Sequence, residues 1–117
     1  MNKQFEEYVI DNYNGTLVNK CHLALYMDND KSLSSLVYWD DLPFAFQWGV
    51  YLYFFDSVGI EVASNRESYL NNDGFAWDVG QLVEVMNSKV KIYDGVEGTR
   101  PEAQKEAIKK AFEILEQ

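Results

Sequence analysis

Hydrophobic residues along this chain recur first at intervals of three and four, then past the middle at intervals of two, and at the end at three and four again. From Lys3 to Asn12, Phe5, Tyr8 and Val9 stand at i, i+3 and i+4, and Asn14-Gly15 ends the pattern, which predicts a short first helix. Thr16 to Met27 fits two periods. Leu17, Cys21, Ala24 and Leu25 trace a helical face, while Cys21, Leu23, Leu25 and Met27 alternate as in a strand; the helix is the preferred reading. Asp28-Asn29-Asp30 is a polar break, and Ser32 to Trp39 a short amphipathic segment leading to Asp40-Asp41.

A clearer helix is predicted from about Pro43 to Val58. Asp41 is placed to cap it, Pro43 falls in the first turn, Phe44, Trp48, Leu52 and Phe55 recur on one face, and Gly59 terminates it. Phe46, Val50, Tyr53 and Phe54 make the opposite face apolar as well, and a helix apolar all round is central in a core or lies partly at an interface. Period two then takes over, with Ile60 and Val62, then Phe75, Trp77 and Val79, then Val83 and Val85, then Val90 and Ile92. Asn71 to Gly74, Asn87-Ser88 and Asp94-Gly95 supply turn chemistry, giving an antiparallel meander of three or four strands. The last helix, over roughly Arg100 to Leu115, opens with the capping box Thr99-Arg100-Pro101-Glu102. Its stripe of Ala103, Ala107, Ile108, Ala111, Phe112 and Leu115 should cover one face of the sheet, with Glu106 paired to Lys109 and Lys110 on the outside. The expected class is α+β: helices first, a meander next, and a closing helix packed on the sheet.

Composition narrows the function classes. The 117 residues fit a single domain, 1–117, and 47% hydrophobic with 15% aromatic residues is more than a disordered acidic tail carries. Ten Lys and Arg against 19 Asp and Glu leave a formal charge of −9, which opposes direct binding to nucleic acid, because neutralising phosphates needs a basic patch. One cysteine, Cys21, excludes an internal disulfide and a Cys-based metal cluster. The first residues, with Glu6 and Glu7 soon after Lys3, do not read as a signal peptide, and no apolar run reaches the roughly 20 residues a spanning helix needs. A cytoplasmic protein without membrane contact is therefore expected.

Two stretches carry a resemblance: Trp48 to Ile60, reading WGVYLYFFDSVGI, and Thr99 to Ala103, followed by Ala107-Ile108 and Ala111. Together they resemble small uncharacterised proteins of bacteriophage and prophage genomes, which carry an aromatic helix ending near FFDSVGI and a closing helix introduced by TRPEA. The resemblance implies expression inside a bacterial cell. It implies no catalytic residue, cofactor or substrate.

Each constellation that could carry chemistry has a plainer account. Cys21 and His22 are the only thiol and the only imidazole, but adjacent side chains diverge on a strand or a helix, so a core Cys21 beside a surface or rim His22 is expected instead of a dyad. Asp28-Asn29-Asp30-Lys31-Ser32 opens like a calcium loop, yet Leu33 stands where glycine is required and Trp39 where a bidentate Glu is required, which leaves a polar turn. Asp41 and Asp56 stand at opposite ends of a helix about 24 Å long and cannot share a site. An acidic metal site drawn from Asp56, Glu61, Asp73 or Asp78 is a third-ranked reading, and an acidic inhibitor imitating nucleic acid the second. No cofactor is expected.

The positive signal is aromatic. Residues 39–55 hold 8 of the 18 aromatic residues, more than one core helix needs, and Asp28 to Glu61 carries six acids against Lys31. The leading expectation is a non-enzymatic protein that binds another protein, or itself, through Phe46, Tyr53 and Phe54 within an acidic rim of Asp40, Asp41 and Asp56.

Overall fold

The structure is a computed structural model that describes residues 1–67, 74–83 and 88–117. The fold is α+β, and the chain divides into two compact units, Met1–Val50 and Tyr51–Gln117, with the boundary inside one helix.

In the first unit, helix α1 (Lys3–Tyr13) begins where the Asn2 side chain accepts the Phe5 N–H at 3.0 Å, and ends where Asn14 takes the left-handed conformation, φ 53°. Thr16 to Met27, read as a helix, is instead two strands, β1 (Thr16–Val18) and β2 (His22–Tyr26), and β3 (Leu36–Tyr38) completes an antiparallel sheet in the order β1-β2-β3. β2 is the central strand and buries Leu23, Ala24 and Leu25 in succession; its apolar residues fit a helical face and a strand's alternation alike, and pairing with β1 and β3 on both sides decides for the strand. Cys21, expected in the core, lies exposed in the β1–β2 connection. Phe5, Val9, Leu23, Leu25, Trp39 and Leu42 form the core, with the Phe5 and Trp39 rings edge to face at 5.3 Å.

A 3₁₀ turn at Trp39–Asp41 leads into helix α2 (Phe44–Ser57). The Gln47 side-chain amide donates to the Trp39 carbonyl at 2.7 Å, and the Pro43 carbonyl accepts from Phe46 N–H at 2.9 Å. The helix stops at Gly59, whose φ of +78° suits a residue without Cβ.

The second unit holds the end of α2, strands β4 (Ile60–Glu67), β5 (Gly74–Val83) and β6 (Ser88–Glu97), and helix α3 (Arg100–Leu115). The strands form an antiparallel meander in the order β4-β5-β6, with one irregularity at Val79/Gly80, where Ile92 is the extra residue of β6. Val83 closes β5, and Val85, Asn71 to Asp73 and Asn87 lie outside the described residues. Asp94-Gly95, read as a turn, runs inside β6. Gly95 is there because the Trp77 indole of β5 lies against it: a Cβ at Gly95 would stand 2.7 Å from Trp77 Nε1.

α3 begins at its predicted cap, Thr99 Oγ1 accepting the Glu102 N–H at 3.3 Å, and buries Ala103, Ala107, Ile108, Ala111 and Ile114 against the sheet residues Ile60, Val62, Trp77 and Val79. Arg100 lies over the Phe75 ring at 5.1 Å and Lys110 over Tyr93 at 5.2 Å, so these strand residues share the helix-covered face. The ion pair of Lys110 runs to Glu113 at 3.3 Å.

Candidate functional site

The aromatic side chains of α2 fall into two sets. Phe54 and Phe55 are buried, and their rings meet each other at 5.1 Å and Phe112 of α3 at 6.1 and 4.9 Å, with Tyr51 at 5.8 Å from the same Phe112. Phe54, placed by its spacing on the partner face, is thus 1% exposed and belongs to the core; a helical wheel separates two faces but does not say which of them α3 will cover. Burying a phenylalanine ring stabilises by about 1.5–3 kcal/mol, so the two rings together contribute about 3–6 kcal/mol.

Phe46 and Tyr53 are different: they are 61% and 67% exposed. They stand two helical turns apart, and Gly49 stands between them on the same side, where an added Cβ would meet nothing within 4 Å. Asp56 continues this stripe one turn further on. The residues at 46, 49, 53 and 56 are spaced three, four and three apart, so helical geometry lines them up as two aromatic rings with a notch between them and a carboxylate at the end. The sequence signal for Gly49 is that a glycine in mid-helix costs about 1 kcal/mol relative to alanine and so marks a position where something other than helix stability sets the residue.

The acidic residues of the expected rim are all exposed. Asp40 and Asp41 lie in the 3₁₀ turn before α2, and Asp56 at its end. The Asp56 carboxyl is pushed above the usual carboxylate range, first by partial burial and then by the negative charge of Glu61. It also sits at the C-terminal end of the helix, where the backbone dipole disfavours an anion.

The remaining chemistry of the sequence resolves into structure. Asp30 accepts the Ser32 N–H at 2.8 Å and the Ser35 hydroxyl at 3.0 Å, and these bonds, led by the backbone one, lower its pKa to about 2. Asp28 accepts the Asp30 N–H at 3.3 Å, so both carboxylates are engaged in closing a polar turn. The His22 ring packs edge-on against Tyr38 at 5.5 Å. Among the described residues no group of three or more His, Cys, Asp or Glu could hold a metal ion; Asp73 lies outside them. Ser64 and Trp77 face each other across β4 and β5, and Ser64 Oγ and Trp77 Nε1 are buried without a hydrogen-bond partner among the described residues. Among those residues, no helix is long and apolar enough to cross a membrane.

Compared with known protein families, with curated proteins and with solved structures, the chain matches none.

Proposed function

We propose that this chain is a phage-like accessory protein of the bacterial cytoplasm that acts by binding another protein through the exposed side of α2, without catalysis. The observation that carries the reading is the pair Phe46 and Tyr53, two large rings left in solvent on either side of Gly49. Aromatic residues supply the energetic anchors of protein interfaces, and a glycine notch between two of them admits an apolar side chain from the partner. The chain's charge of −9 and the exposed Asp40, Asp41 and Asp56 fit a partner with a basic rim. The phage-like origin rests on the resemblance of Trp48 to Ile60 and of the segment starting at Thr99.

The test is capture from bacterial lysate by the wild-type chain and by the double variant Phe46→Ser, Tyr53→Ser, followed by titration of the purified captured protein against both. The wild type should bind, salt should weaken the complex, and the double variant should bind about thirtyfold or more weakly, the effect of losing one aromatic anchor of about 2 kcal/mol. Equal affinity of the two chains, or a complex indifferent to salt, overturns the reading. If the captured protein is a nucleic-acid enzyme and an oligonucleotide competes for the same surface, the partner's basic rim is its nucleic-acid site.

A further inference from the structure

Asn14-Gly15 closes α1, and it is the chain's only Asn-Gly pair. Such a pair is chemically labile in an unfolded chain, because glycine leaves its own amide nitrogen unhindered and free to reach the asparagine side chain. The folded chain holds it in an unreactive form. Asn14 is exposed and takes the left-handed conformation, φ 53° and ψ 34°, and its N–H and that of Gly15 both donate to the Val9 carbonyl, the second at 3.4 Å. Closing a ring from the Gly15 nitrogen to Asn14 Cγ needs that nitrogen on the Cβ side of the Asn14 Cα–C bond. At ψ 34° the tetrahedral Cα sets it nearly opposite Cβ, out of reach of the side chain.

The glycine is constrained as well. A Cβ at Gly15 would stand 3.0 Å from Val9 Cγ1 and 3.2 Å from the Val9 carbonyl oxygen, and Val9 is fully buried with little room to give way. The cap of α1 thus uses the labile pair and shields it at once.

We propose that Asn14 is a site of spontaneous deamidation gated by the C-terminal cap of α1, blocked while the cap is closed and free to react when it opens. In the open chain the Gly15 nitrogen loses its proton and bonds to Asn14 Cγ, and the side-chain nitrogen leaves as ammonia, giving a succinimide. Water then adds to one of the two ring carbonyls. Breaking the bond from Cγ to nitrogen yields aspartate, and breaking the bond from the main-chain carbonyl carbon to nitrogen yields isoaspartate. Either product puts a carboxylate at the C-terminal end of α1, where the backbone dipole disfavours it, and isoaspartate also lengthens the main chain, which pulls the two N–H groups away from their shared carbonyl. The change is therefore a one-way record of α1 having opened, and it is independent of what α2 binds.

Peptide mapping by mass spectrometry of the full chain, incubated at mildly alkaline pH in native buffer and in guanidinium chloride, tests it. In denaturant Asn14 should convert to aspartate and isoaspartate ahead of every other asparagine. In native buffer it should convert at least about tenfold more slowly, the reaction waiting on local opening. Asn2→Ala removes the side chain that caps the other end of α1 and should speed the native reaction about fivefold, leaving the rate in denaturant unchanged. Circular dichroism checks that this variant folds; if it does not, wild type in low guanidinium replaces it, with a rate that rises as α1 opens. Asn14→Gln, which would have to close a larger ring, should stay unmodified at that position in both solvents. Equal rates in the two solvents, a native rate indifferent to Asn2→Ala, or conversion of another asparagine ahead of Asn14 in denaturant overturns the proposal.

Discussion

The two sides of α2 are made of the same kind of residue and have opposite fates. Phe54 and Phe55 meet Phe112 and vanish from solvent, whereas Phe46 and Tyr53, aromatic like them, keep most of their surface in water. What separates them is the neighbour each one finds, because apolar character says only that a side chain gains by being covered. The lesson is that an aromatic-rich helix can bury one side in a core and leave the other in solvent.

The sharpest way to break that comparison is truncation on each side. Phe55→Ala should lower the unfolding free energy by about 3–5 kcal/mol, while Phe46→Ala should change it by less than about 0.5 kcal/mol, both read by urea denaturation. Comparable losses would mean that Phe46 is covered in solution and that the two sides are not distinct.

Glycines allow a second contrast of intermediate size. Gly95→Ala drives a methyl into the Trp77 indole and should destabilise by about 1–3 kcal/mol, whereas Gly49→Ala meets open space and should stabilise by about 1 kcal/mol through helix propensity alone. Thermal melts of the two variants should move in opposite directions. If Gly49→Ala also weakens the complex proposed for α2, the notch and not merely the rings is used.

The smallest effect belongs to Asp56. Its raised pKa means that the folded chain holds the proton to higher pH than the unfolded chain, so its contribution to stability falls as pH rises through the interval above the ordinary value of 3.8. Asp56→Asn should therefore be more stable than wild type at neutral pH, by a few tenths of a kcal/mol after solvent screening, with the difference closing below about pH 3.8, where the carboxyl is neutral in both states. A gap that widens on acidification would reverse the sign of the argument.

Much of the fold was legible wherever a local signal agreed with the tertiary outcome. α3 was readable to the residue because Thr99 and Pro101 fix its start by chemistry that involves only neighbours. β2 was not, since its apolar residues fit a helical face as well as a strand's alternation, and Asp94-Gly95 looks like a turn in sequence because the reason for that glycine lies on a different strand. The same distinction governs the site. Spacing alone put Phe46 and Tyr53 on one side of α2, but Phe54 joined them wrongly because the helix that covers it arrives more than forty residues later.

The contact of Trp77 with Gly95 reaches beyond the stability of one chain. An indole can occupy position 77 only while position 95 lacks a side chain, and a larger residue at 95 is tolerable only once the indole has gone. The two positions thus behave as one inherited character. Across descendants of this sequence they should change together or not at all, with a smaller residue at 77 preceding any side chain at 95, because the reverse order passes through an overpacked intermediate.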